Sequence, residues 1–235
     1  MSIEIKVIPM LRFPIGLVFL CFFAAQYAFG EASRVEGFVK LPPGSTVAVM
    51  PLDIELFSLS AGGIPEPQAE WTAKAHENLS RAFREKPFAN IEFISVGDDN
   101  DAEIEPLNRL HGAVGSAIVL HHTLAMYALP SKQGKLDWSL GDTCSKLKTK
   151  TGAQYALFSY VRDSYASGER VAAIVVGLIF GIGLQGGAQT GYASLVNLDT
   201  GQIVWFNRLA RARGDLRDFK SAQESLGALL EGFPN

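Results

Sequence analysis

Tyr192-Ala193-Ser194-Leu195-Val196-Asn197-Leu198, then Asp199-Thr200-Gly201, then Gln202-Ile203-Val204-Trp205-Phe206-Asn207-Arg208 is the stretch that decides the fold. Two runs rich in β-branched and aromatic residues flank a short turn containing glycine, the pattern of an antiparallel hairpin. Upstream, Gln154 to Arg162 carries Tyr155, Ala156, Leu157, Phe158 and Tyr160 and reads as a strand. It is entered through Thr151-Gly152, a glycine helix stop after a short helix that Asp142 caps and that runs to about Lys150. Downstream, Leu216 to Phe233 turns Phe219, Ala222, Leu226, Leu229 and Leu230 to one side of an amphipathic helix.

The N-terminal half supplies the rest of a sheet. Thr46 to Met50 is a compact apolar run and reads as a buried strand, and Leu52 to Phe57 alternates like a half-exposed one. A helical pattern from about Pro67 to Glu85 ends before Pro87, Ile91 to Val96 is a further strand, and Ile104 to Leu129 is helical up to Pro130. The expected fold is α/β: a single domain with a mixed sheet of about five strands packed with about four helices. Its C-terminal β-hairpin is followed by a final helix. Residues 31–44 are a lead-in containing the Pro42-Pro43-Gly44 turn, and 45–235 form the domain.

Residues 1–30 read as a secretory signal peptide. Lys6 and Arg12 precede an apolar run from Phe13 to Ala25, and Ala28 and Gly30 give small residues at −3 and −1, so cleavage is expected after Gly30. Met10 serves as a start as well as Met1 does. Leu17 to Cys21 has the outline of a lipoprotein signal, although Leu20 is large where a small residue is wanted. Two alternatives to a free periplasmic chain therefore stay open: a lipid anchor at Cys21, and a tether through an uncleaved leader. The apolar run is shorter than the ~20 residues of a spanning helix. Loss of Lys6, Arg12 and Glu4 with the leader moves the net charge from −3 to about −4. A mildly acidic domain has no electrostatic footprint for nucleic acid. Cys144 is then the remaining cysteine and is expected to be buried.

No catalytic, metal or cofactor-binding residue is assigned. The four histidines are scattered; His111 and His122, on one helix, would stand about 16 Å apart. Asp98, Asp99, Asn100 and Asp101 lack the glycine and closing glutamate of a calcium loop and read as a solvated turn. Gly115-Ser116 lacks the surroundings of a nucleophile elbow.

Val171 to Ala188 is the unusual segment, with about fourteen consecutive residues free of polar side chains. Gly181-Ile-Gly183-Leu-Gln-Gly186 matches a dinucleotide fingerprint, but a hairpin follows where that fingerprint needs a helix. A second reading makes the segment a partner or membrane contact through Val171, Ile174, Val175, Leu178, Ile179 and Phe180. Gly177 and Gly181, and Gly183 and Gly187, lie at the four-residue spacing that permits close helix approach. A third reading buries the segment under the rest of the domain.

Val47-Ala-Val-Met-Pro51, Thr151-Gly-Ala-Gln-Tyr-Ala-Leu157 and Ser194 to Trp205, with Asp199, Gly201 and Trp205 in the hairpin, resemble a group of bacterial envelope domains. The group comprises the lipoprotein activators of penicillin-binding proteins, the N-terminal domain of the Tol-Pal translocation protein and the curli secretion lipoprotein. The resemblance implies an anticodon-binding-like α/β fold and a non-enzymatic role in which the protein binds another envelope protein or assembles with itself. Contact with a membrane surface is a further expectation. The alternatives are a secretion or pore-type oligomer that uses residues 171–187, and an unrecognised hydrolase.

Overall fold

The computed structural model describes residues 32–97, 104–212 and 214–235. Along the chain run β1 (Ser33–Arg34), β2 (Ser45–Val49), β3 (Asp53–Leu59), β4 (Pro65–Pro67), α1 (Ala69–Glu85), β5 (Ile91–Ser95) and α2 (Ile104–Ile118). They are followed by α3 (Cys144–Thr151), β6 (Tyr155–Ala166), α4 (Gly168–Ile179), β7 (Gln189–Asn197), β8 (Ile203–Arg211) and α5 (Phe219–Leu229). The strands form one mixed sheet in the order β1-β8-β7-β6-β2-β5, with β3 and β4 continuing from β6.

The fold is the expected α/β class, with the hairpin as β7–β8 and a final helix behind it. The sheet has eight strands where about five were expected. The added strands are short or are extensions. β1 covers Trp205 and Phe206 of β8, so residues 33–34 of the supposed lead-in belong to the sheet, and Leu41 belongs to the core. β4 holds Pro65 and Pro67, which a sheet tolerates at an edge because proline donates nothing to a ladder.

β6 is the axis. β2 pairs with its start (Val47↔Tyr155 to Val49↔Leu157) and β3 with its end (Asp53↔Tyr160 to Leu59↔Ala166), both parallel. From Val49 to Asp53 the chain takes four steps while β6 takes three between Leu157 and Tyr160. The extra residue is a bulge at Met50–Leu52, where Pro51 has no N–H to give.

Helices cover both faces. α1 and α5 bury Leu79, Ala82, Leu226 and Leu229 against Val47, Leu157, Leu195 and Trp205. α2 and α3 bury Leu107, Ile118, Cys144 and Leu147 against Ala48, Ala156, Phe158 and Phe206. Cys144 is buried, and that burial pushes its thiol up to about 11. The pattern read as one helix to Leu129 breaks earlier: α2 ends at Ile118, a wider π turn spans Val119–Thr123, and a 3-10 turn follows at Ala125–Tyr127. Through that turn His122 Nε2 reaches Ser33 Oγ of β1 at 3.0 Å. His111 is buried in the core against Ser194 and Phe158, so the two histidines serve different contacts. The acidic turn at residues 98–101 and the leader lie outside the described residues.

Candidate contact site at the α4 tip

α4 follows directly on β6 and returns through residues 180–188 to β7. Its root is polar and closed. The buried Asp163 carboxylate accepts hydrogen bonds from the Tyr165 hydroxyl and from Gln189 Nε2 (2.8 Å), and the Tyr165 oxygen accepts from Leu216 N–H (2.9 Å). Burial raises the Asp163 pKa, and these hydrogen bonds restrain the rise. Arg217 grips Asp215 in a bidentate pair at 2.8 Å and lies over the Trp71 and Tyr165 rings. Hydrogen bonds from Arg217 hold the Asp215 carboxyl below its ordinary value.

α4 begins at Ser167, whose side chain accepts from Arg170 N–H (3.1 Å), with Glu169 in the first turn, where a carboxylate suits the helix dipole. It ends in a Schellman turn. Ile182 N–H bonds Gly177 O (2.8 Å), Gly181 N–H bonds Leu178 O (3.1 Å), and Gly181 takes the left-handed φ of +72°. The Arg170 guanidinium donates to Gln185 O (3.0 and 3.1 Å) and to Ala61 O (3.1 Å), strapping the glycine-rich return and the β3–β4 turn to the base of the helix.

Beyond Arg170 the surface is apolar. Val171, Val175, Val176, Leu178, Ile179, Phe180 and Ile182 are exposed, Ile179 and Phe180 each to 75%. Ala172 is exposed too, whereas Ala173 and Ile174 are half-buried and Gly177 is buried. At 100° per residue the exposed positions of α4 from Val171 onward sweep about 160° of the helix, and the covered ones lie on the other side. The segment is therefore not enclosed by the rest of the domain. The glycines have local duties: a Cβ on Gly177 would meet Ile182 O at 2.9 Å, Gly181 caps the helix, and Gly183 is exposed. Gly181 to Gly186 leads into strand β7 rather than a helix.

Gly187 has φ +148°, and a Cβ there would lie 2.1 Å from Ser164 O, at the point where Ser164 and Ala188 exchange hydrogen bonds. Gly187→Ala is expected to destabilise the protein by about 2 kcal/mol. It should also raise amide exchange at Ser164 and Ala188 more than in the rest of the sheet. Chemical denaturation and hydrogen exchange read the two effects.

The hairpin residues have structural roles. Asp199 N–H bonds Asn197 Oδ1 (2.8 Å), the Asp199 carboxylate pairs with Lys148, Gly201 takes φ +68° against Gly141 O, and Trp205 is wholly buried. The β8 edge is occupied from Gln202 to Phe206 by Ser139, Trp138 and β1.

Sequence reasoning did not assign a helix at 168–179. Ser167 as cap, Glu169 behind it and Gly181 as terminator were its signals. It also passed over a Ser–His pair, His111 Nε2 and Ser194 Oγ at 2.9 Å. Both residues are sealed in the core, and burial drives His111 down to about 3, so the ring is neutral. A 420 Å³ cleft at the carboxyl ends of β2 and β5 is lined by His76, Arg84, Lys86, Phe83 and Phe88, with no carboxylate among the described residues of its lining. Among the described residues, no three His, Cys, Asp or Glu side chains gather as a metal site. No described helix is long and apolar enough to cross a membrane.

No family model and no curated protein matches the chain. Solved structures similar to it include the PelC dodecamer from Paraburkholderia phytofirmans, at 12% identity and TM-score 0.40 over 88% of this chain and 100% of that one. The LpoB C-terminal domain from Escherichia coli is 16% identical at TM-score 0.30, over 76% of this chain and 88% of its own. Lipoprotein GNA1162 from Neisseria meningitidis is 13% identical at TM-score 0.31, over 80% and 96%. At these values the functional reading rests on this chain's own geometry.

Proposed function

We propose that this is a non-enzymatic protein of the cell envelope, exported by its leader, that binds or assembles with another envelope component through the α4 tip. The observation that carries the reading is the exposed apolar arc from Val171 to Ile182 on a rigidly rooted helix. Isolated exposed apolar residues are ordinary, but a contiguous patch of this kind marks a contact surface. The sealed Ser194–His111 pair supports a role without catalysis.

Crosslinking and capture from the envelope, comparing the unaltered chain with the Val175→Asp, Ile179→Asp double variant, test the proposal. Both side chains are exposed, so the variant should keep its fold within about 1 kcal/mol. It should lose the components that the unaltered chain retains. Identical capture by a folded double variant would remove the tip from the account.

A further inference from the structure

We infer that the occupant of the α4 tip is the hydrocarbon side of a lipid bilayer, into which Val175, Leu178, Ile179 and Phe180 insert. This rests on the contact-site reading above and names the partner. Three observations carry it.

The first is angular. One flat neighbour covers a stripe of a helix little more than 100° wide, and the exposed apolar arc is about 160° with the apolar turn at Phe180 and Ile182 beyond its end. A surrounding fluid phase covers such a surface without a second or third docking partner.

The second is chemical. Residues 171–188 carry no Asp, Glu, Lys or Arg, and the charged groups stop at Glu169 and Arg170, at the base of the helix. The Schellman turn satisfies Gly177 O and Leu178 O, so the leading end enters an apolar medium with these carbonyls already bonded. α4 is 12 residues, about 18 Å long, and so enters without spanning.

The third is positional. β6 runs toward α4, and β7, β8 and β1 alternate in direction from it, with Ser33 opposite Phe206 and Arg34 opposite Trp205. The chain before Ser33 therefore joins the sheet from the end where α4 stands. Ala32 lies roughly 25 Å along the strands from the root of α4. The eleven steps from Cys21 to Ala32 could span at most about 36 Å. A chain still joined to Cys21 would therefore hold this end of the domain within that distance of a bilayer.

With no cation at the tip and a mildly acidic domain, partitioning should not need anionic lipid. A polarity-sensitive fluorophore placed at L178C in the full chain carrying C21A, with Cys144 buried, is the probe; a second label at K146C, at the opposite end of the sheet, is the control. With phosphatidylcholine vesicles, the label at 178 should shift to the blue and be quenched by doxyl-labelled lipid, with no gain from added anionic lipid, while the label at 146 stays aqueous. Adding Val175→Asp and Ile179→Asp should cut the partitioning of the tip by at least about tenfold. An aqueous label at 178 on vesicle-bound chain overturns the inference. A blue shift that follows protein concentration without vesicles also overturns it, because the cover is then a second copy, and leaves the contact-site reading standing. No shift in either case, together with unchanged envelope capture by the double variant, removes both.

Discussion

Trp205→Ala should lower the stability of the domain by about 3–5 kcal/mol, the range for emptying a large aromatic site in a packed core. For a chain of this size that corresponds to a fall of roughly 6–20 °C in Tm. Trp205 is wholly buried beneath α5 and meets the Phe233 ring edge-on at 5.4 Å, so the cavity would open between the sheet and the C-terminal segment. The indole carries an opposing contribution: its Nε1–H has no acceptor among the described residues. A buried unpaired donor costs about 1–3 kcal/mol, so Trp205→Phe removes that penalty while keeping most of the ring. Its loss should be near 1 kcal/mol. Equal losses for the two variants in thermal or urea unfolding would show that the N–H has a partner in solution.

Acidification should act through His111. The ring is neutral in the fold because burial drives its pKa from 6.5 to about 3, whereas the unfolded chain binds a proton near the ordinary value. The unfolded state therefore holds more protons below pH 6.5, and stability falls as pH falls from there toward 3. Between pH 7 and pH 3.5 the loss from this group is about 4 kcal/mol. Asp163, whose pKa is raised, opposes that trend across its own range, and Asp215, whose pKa is lowered, adds to it. His111→Gln can keep a hydrogen bond to Ser194 without titrating and should flatten the profile between pH 6.5 and 3.5. Urea unfolding at a series of pH values is the measurement. A variant with the slope of the unaltered protein would assign the acid sensitivity elsewhere.

The hairpin was legible because Asp199-Thr200-Gly201 sits between two β-rich runs, and the same turn and strands appear in β7–β8. The final helix was legible from its 3.6-residue period. The last four residues of β6 were not. Asp163 and Ser164 look like the end of a strand, and they continue it because Gln189 and Leu216, far along the chain, complete the polar cluster around Asp163 and Tyr165. β1 was hidden for a similar reason, since two residues paired to Trp205 and Phe206 carry no period of their own. At the tip, an unbroken apolar run fits a buried helix, a buried strand or a contact equally well. Only the packing of Ala173, Ile174 and Gly177 inward, with their neighbours left outside, fixes its orientation.

The place of β6 in the sheet also sets an order of assembly. Its pairs with β2 and β3 join residues 107 or 108 positions apart, whereas its pairs with β7 join residues 26 to 42 apart. Closing the longer loop loses more chain entropy, and distant pairings slow a folding reaction. β6, β7 and β8 can therefore zip together as a template, onto whose open side β2 and β3 dock afterwards. Until then β2 and β3 lack their neighbour on the β6 side, and β3 is the longer of the two. That waiting period, rather than the finished fold, is when this protein is most open to pairing with the wrong chain.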